Sequence, residues 1–89
     1  MAFKVELTSD AEKELDDLDP QAAKRILAFL FERISKYKNP RQVGEALRGS
    51  RFKSLWRYKV GNYRVIVSIE DAESKILVLR IAHRREAYR

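Results

Sequence analysis

Eighty-nine residues supply one small domain with one hydrophobic core, which excludes multidomain machines and the longer folds that hold dinucleotide cofactors. Charged residues make up 36% of the chain, well above the usual quarter, and 19 Lys and Arg against 13 Asp and Glu leave a net charge of +6, so the expected partner is a polyanion: nucleic acid or an acidic protein. With no Cys and a single His, disulfides, thiolate chemistry and most zinc sites are excluded, and neither a signal-peptide layout nor an apolar run near the ~20 residues of a membrane span is present.

The chain opens with Phe3-Lys4-Val5-Glu6-Leu7, whose alternation predicts a short strand with Phe3, Val5 and Leu7 inward. Ser9 and Glu12 have capping-box spacing, which predicts a helix from there to about Leu18. Asp19-Pro20 starts a second helix, with Asp as N-cap and Pro where its missing N–H costs nothing. Ala23, Ile26, Leu27, Leu30 and Ile34 form its inward stripe, and Asn39-Pro40 should stop it at Tyr37 or Lys38, completing an antiparallel helical hairpin. Three segments rich in Val, Ile, Leu and aromatics follow, Leu55 to Val60, Tyr63 to Glu70 and Lys75 to His83, separated by Gly61-Asn62 and by Asp71 to Ser74. They read as an antiparallel meander.

Charge divides along the same line. Residues 1–46 carry a net −1 and residues 47–89 a net +7, which suggests a scaffold half and an anion-meeting half. Strand alternation places Val65, Val67, Ile69, Leu77, Leu79 and Ile81 on the helix side, with Trp56, Tyr58 and Val60. The other face then collects Arg57, Lys59, Arg64 and Arg84, with Ile76, Val78, Arg80 and Ala82 sharing the parity of Arg84. Guanidinium forks on one rigid sheet suit a phosphodiester, although solvated arginines on an exposed face have the same pattern. Tyr58, Tyr63 and Trp56 alternate with charged residues as core or sheet-edge aromatics do, whereas Tyr88 stands in a polar tail. His83 has the parity of the apolar side, and Glu45 lies in a loop that matters only if it folds over the cationic face.

These residues carry a resemblance that spans essentially the whole chain. Leu47-Arg48-Gly49, the run Leu55-Trp56-Arg57-Tyr58-Lys59-Val60-Gly61-Asn62-Tyr63-Arg64-Val65-Ile66, and the ending His83-Arg84-Arg85-Glu86-Ala87-Tyr88 resemble the RelE branch of the RelE/ParE toxin superfamily, together with Ala11, Glu14 and Leu15 of the first helix. The resemblance implies a single RelE-like α+β domain over residues 1–89, with an N-terminal strand and a helical hairpin packed on one face of an antiparallel sheet. It implies the toxin of a type II toxin–antitoxin pair, a metal-independent and cofactor-free endoribonuclease that cuts mRNA in the ribosomal A site. Arg64 and Arg84 match the residues that grip the scissile phosphate, Arg57 and Arg85 match further basic positions, and Tyr88 matches the near-terminal Tyr beside the cleaved nucleotide. Glu45 matches the Glu of a Glu-x-Leu-x-Gly string that serves some relatives as base, with His83 as acid; other relatives rely on Lys, Arg and Tyr. Lys59, Arg48, Lys53, Arg80 and Arg89 complete the implied RNA-binding set. The implied partners are an acidic RelB-like antitoxin, the ribosome and mRNA, with operator DNA met only through the antitoxin complex, in the cytoplasm and away from membranes. A ParE-like inhibitor of DNA gyrase and a non-catalytic nucleic-acid-binding module are the alternatives on the same fold.

Overall fold

The computed structural model describes residues 3–37, 39–47 and 55–85. Its elements are β1 (Lys4–Leu7), α1 (Ser9–Asp16), α2 (Pro20–Ala28), β2 (Glu45–Ala46), β3 (Leu55–Val60), β4 (Tyr63–Glu70) and β5 (Lys75–His83). The strands form one sheet in the order β1-β5-β4-β3-β2, with the helices on one face, which is the expected α+β architecture. Pairing is antiparallel except at the edge, where β1 runs parallel to β5 and sets Val5 beside Ile76 and Leu7 beside Val78. Parallel neighbours need a long connection, and nearly the whole chain lies between these two.

Helix α1 is capped by Thr8 rather than by the predicted Ser9. Thr8 has extended backbone, and its hydroxyl accepts the Ala11 N–H at 3.1 Å. The cap frame is thus one residue earlier, Ala11 occupies the position a capping box gives to Glu, and the box does not form. Thr8 wins because its hydroxyl also donates to the Leu79 carbonyl (3.2 Å), joining the helix start to the sheet. The helix ends at Asp16, two residues short of Leu18, because Asp19 must be extended to cap the next one. There the prediction holds: the Asp19 carboxylate accepts the Gln21 N–H at 2.9 Å, and Pro20 is the first helical residue.

The second helical segment is not one regular helix. After Ala28 it widens into a π turn (Phe29–Arg33) and then tightens into a 3₁₀ turn (Ile34–Lys36), one residue before Tyr37; Lys38 lies outside the described residues. A regular helix drifts about 40° for every four residues. The wide turn offsets that drift, so Ile26, Leu30 and Ile34, spaced by four, are all fully buried. Leu27, predicted inward, is instead 36% exposed.

The core joins these side chains and Ala11 to Tyr58, Val65, Val67, Ile76, Val78 and Ile81 from the sheet. Here β5 departs from simple alternation. Ile66 opposes Arg80 but Val67 opposes Val78, so Leu79 is an extra residue and parity flips at the bulge. Ile76 and Val78 are buried where Leu77 and Leu79 were expected, while Ile81, beyond the bulge, is buried as expected. Where β1 stops, α1 covers the outer edge of β5: the Glu14 carboxylate accepts the Ile81 N–H at 2.8 Å and the Arg80 Nε–H at 2.8 Å. An open edge with unpaired backbone groups is thereby closed.

Candidate functional site

The segment before β3 folds over the sheet. Asn39 and Pro40 start a 3₁₀ turn (Pro40–Val43) in the way Asp19 and Pro20 start α2, with the Asn39 side chain accepting the Arg41 N–H at 3.1 Å. The following strap is anchored three times. The buried Tyr58 hydroxyl donates to the Pro40 carbonyl at 2.7 Å, and burial pushes its pKa up to about 12, so it remains a donor. Gly44 lies flat against the same ring, where an added Cβ would stand 2.9 Å from Tyr58 Cε1. Arg41 forms a two-pronged pair with Asp71 (3.0 and 2.6 Å), and its guanidinium carbon lies 5.8 Å from the Trp56 ring centroid.

This anchoring makes the expected loop a short strand, β2, and Glu45 comes to rest directly opposite Arg57. Directly paired residues of an antiparallel ladder share a face. Glu45 pairs with Arg57 and Lys59, the latter at 2.8 Å, and Lys59 in turn opposes Arg64 on β4. Four charged residues from three strands therefore form one continuous patch on the face away from the helices. The hydrogen bonds from Lys59 and Arg57 hold the Glu45 carboxyl below the usual Glu range. In this state it is a weak proton acceptor. Were a phosphate to draw the two cations away, its basicity would rise toward the ordinary value.

Arg57 is positioned by burial, its side chain only 14% exposed. Arg64 is half-buried, and its NH1 donates to the carbonyls of Gly61 (3.3 Å) and Tyr63 (3.0 Å). Its Nε is buried and has no hydrogen-bond partner among the described residues. A buried donor left unpaired costs roughly 1–3 kcal/mol.

Arg84 and Arg85 follow β5 as an exposed turn, and the Arg84 N–H donates to the Asn62 carbonyl at 2.8 Å, fixing this turn beside the β3–β4 hairpin. His83 lies on the helix side, as its parity predicted: its ring meets Tyr63 edge-on at 5.6 Å, and its Nδ1 accepts the Arg85 N–H at 3.3 Å. It borders a cavity of about 420 Å³ with Glu14, Asp17 and Leu18. From Glu45 it is separated by the sheet itself and by three strand spacings, roughly 14 Å. An acid–base pair of Glu45 and His83 is not assembled. Arg80 is taken up by Glu14, its NH2 2.7 Å from the carboxylate, rather than joining the open patch. Arg48, Lys53, Tyr88 and Arg89 lie outside the described residues. Sequence reasoning missed the anchors Arg41 and Gly44; the Asn39-Pro40 start signal was visible but was read only as a stop.

A family model described as the ParE toxin of the type II toxin–antitoxin system matches residues 5–88. The chain is 29% identical over 89 residues to Toxin RelG of Mycobacterium tuberculosis, covering 100% of this chain and 99% of that one. Among solved structures it is similar to the toxin–antitoxin complex RelBE2 of Mycobacterium tuberculosis, with a TM-score of 0.84 and 27% identity over 97% of this chain and 95% of that one. It is also similar to the archaeal RelE–RelB complex of Pyrococcus horikoshii, with a TM-score of 0.77 and 26% identity over 98% of this chain and 100% of that one. With a family model spanning nearly its full length, this chain belongs to the RelE/ParE superfamily of type II toxin–antitoxin toxins.

Proposed function

We propose that this toxin is a ribosome-dependent endoribonuclease that cleaves mRNA in the A site. The observation that carries the reading is the single patch formed by Arg57, Lys59 and Arg64 with Glu45 laid across it. RNA holds its own nucleophile. A base removes the proton of the 2′-hydroxyl, the oxygen attacks the adjacent phosphorus, and the 5′-oxygen of the next nucleotide leaves with a proton, giving a cyclic phosphate and a free 5′-hydroxyl. Three cations neutralise the charge that grows on the phosphorane oxygens, and no step in this scheme calls for a metal or cofactor. When the phosphate occupies Arg57 and Lys59, Glu45 is released close to the 2′-hydroxyl with its basicity restored. Arg84 and Arg85 approach from the adjoining turn, and the role proposed for Tyr88, which lies outside the described residues, is at the cleaved nucleotide.

An acidic RelB-like antitoxin is the proposed restraint, supported by the RelBE2 and RelE–RelB complexes to which the chain is similar. It would neutralise the same cations, and operator DNA would be met through it. The proposed place of action is the cytoplasm, where the ribosomes are.

The test is inducible expression of wild type and Arg84→Ala in bacteria, with mRNA 5′ ends mapped in the first minutes. New ends inside translated codons, absent in the variant, support the reading. Growth arrest with trapped gyrase–DNA complexes and no new RNA ends would replace it with the gyrase alternative.

A further inference from the structure

The β3–β4 turn is flanked by guanidinium groups on both sides of the sheet. On the open face, Arg64 donates to the Gly61 carbonyl. On the helix face, a Cβ placed on Gly61 would meet Arg25 NH1 at 3.2 Å, so the Arg25 guanidinium lies against the turn from α2. Gly61 has φ +59°, so the turn both needs glycine and leaves room for that approach.

Beyond Arg25 a cavity of about 320 Å³ opens between the α2 segment and the end of β3, lined by Arg25, Arg33, Lys59, Phe29, Val60 and Gly61. It holds three cations and no carboxylate. Lys59 is the lysine that also faces Glu45 on the open patch. None of the ion pairs among the described residues takes up Arg25 or Arg33, and Arg33 is held with its guanidinium carbon 5.4 Å from the Phe29 ring centroid. The one acid bordering the adjoining cavity, Asp19, is engaged with the backbone N–H groups of Gln21 and Ala22. Strand β2 pairs only with Trp56 and Arg57, so among the described residues the outer edge of β3 at Lys59 and Val60 has no neighbouring strand, while its inner edge pairs with β4.

We propose that this crevice is a second phosphate subsite, which takes the backbone of the same RNA strand where it leaves the open patch and rounds the β3–β4 turn. The cationic band of Arg64, Arg25, Arg33 and Lys59 is continuous around that turn, and an oligonucleotide is the polyanion whose regularly spaced charges occupy both sites together. A guanidinium stacked on Phe29 is pre-oriented for a phosphate and loses little side-chain freedom on binding. The subsite rests on the open patch being the RNA site, and it sets how much RNA beyond the scissile bond the toxin holds.

The test uses full-length protein and single-stranded RNA made uncleavable by a 2′-deoxy substitution at the scissile position. Salt dependence of binding is measured for a short oligonucleotide that covers the open patch alone and for longer ones extended on either side. Wild type should gain affinity and a steeper salt slope on lengthening. Arg25→Gln/Arg33→Gln should keep the short-oligonucleotide affinity and lose that gain, its slope shallower by about 0.7 for each phosphate no longer neutralised, a 2- to 3-fold smaller fall in affinity across a fourfold rise in salt. Arg25→Lys/Arg33→Lys should restore most of the slope, and unchanged melting of both variants assigns the effect to binding. Equal slopes for wild type and the Gln variant on long RNA would overturn the subsite, as would a Gln variant that binds polyglutamate more weakly than wild type does but holds long RNA equally well. If wild type bound no RNA of either length, the endoribonuclease reading itself would fail, a result distinct from equal slopes.

Discussion

Replacing Tyr58 with Phe removes one oxygen and leaves the ring that supports both Gly44 and Phe29, whose centroid lies 5.5 Å from it. The lost hydroxyl is fully buried and donates at 2.7 Å to the carbonyl of Pro40, itself buried, so the substitution orphans an acceptor in the interior. Such a loss costs roughly 1–3 kcal/mol, and near 2 kcal/mol is expected where both partners are buried. For a domain of this size each kcal/mol lowers the melting temperature by roughly 4–8 °C, so thermal unfolding followed by circular dichroism at neutral pH should show a drop of about 8–16 °C. A second signature comes from titration. The folded pKa of Tyr58 is raised from 10.0 to about 12, so the stability gained by keeping the phenol protonated is fully present below pH 10 and is lost as pH rises from 10 through 12. Phe has nothing to titrate there, and the gap between the two proteins should narrow across that window; other ionisations are common to both and cancel. Equal melting temperatures at neutral pH, or a gap that stays constant up to pH 12, would refute the role given to this hydroxyl.

Gly44→Ala places a methyl 2.9 Å from a buried ring that has no room to retreat, so a loss of about 1–3 kcal/mol is expected, with weaker RNA cleavage because Glu45 is displaced along with the strap; melting and cleavage assays on one preparation check both. Gly61→Ala forces a Cβ into a left-handed conformation at a cost of about 1–2 kcal/mol, visible as a lower urea midpoint with an unchanged slope. Desolvation pushes the Glu14 carboxyl up, but hydrogen bonds from Arg80 and the Ile81 N–H outweigh it and hold the carboxyl below its ordinary 4.5. Its ionisation therefore stabilises the fold above that value, and the contribution is lost as pH falls through the lower folded pKa. Glu14→Gln, which can still accept the Ile81 N–H, should be less stable at pH 7 by under ~1 kcal/mol, with the deficit vanishing in acid melts.

The three long strands were legible to the residue, because each is a run of β-branched and aromatic residues bounded by turn chemistry. Inward and outward assignment was legible on β3, on β4 and on the end of β5, but failed on β5 up to Leu79, since the residue inserted there flips the parity and the apolar residues on both sides of it hide the change. The cap shifted from Ser9 to Thr8 through a contact with a strand some seventy residues away, which no local pattern contains. Of the candidate site, the co-facial Arg57, Lys59 and Arg64 were legible from alternation alone. Glu45 could be named but not located, because a two-residue strand is held by Tyr58, Trp56 and Asp71 rather than by its own sequence. Arg25 and Arg33 escaped notice because the half of the chain that carries them has no net positive charge.

The strand order also sets when the fold can exist. Strand β5, inserted between β1 and β4, is the last of these five strands to be synthesised, and it supplies Ile76, Val78 and Ile81 to the core. Until it leaves the ribosomal tunnel, β1 has no partner, α1 has nothing to cap, and the β3–β4 hairpin has one free edge. Pairings this distant in sequence close slowly and together, so a nascent chain gains little of this structure from growing longer until β5 is free. Folding of this sheet is thereby tied to the emergence of β5.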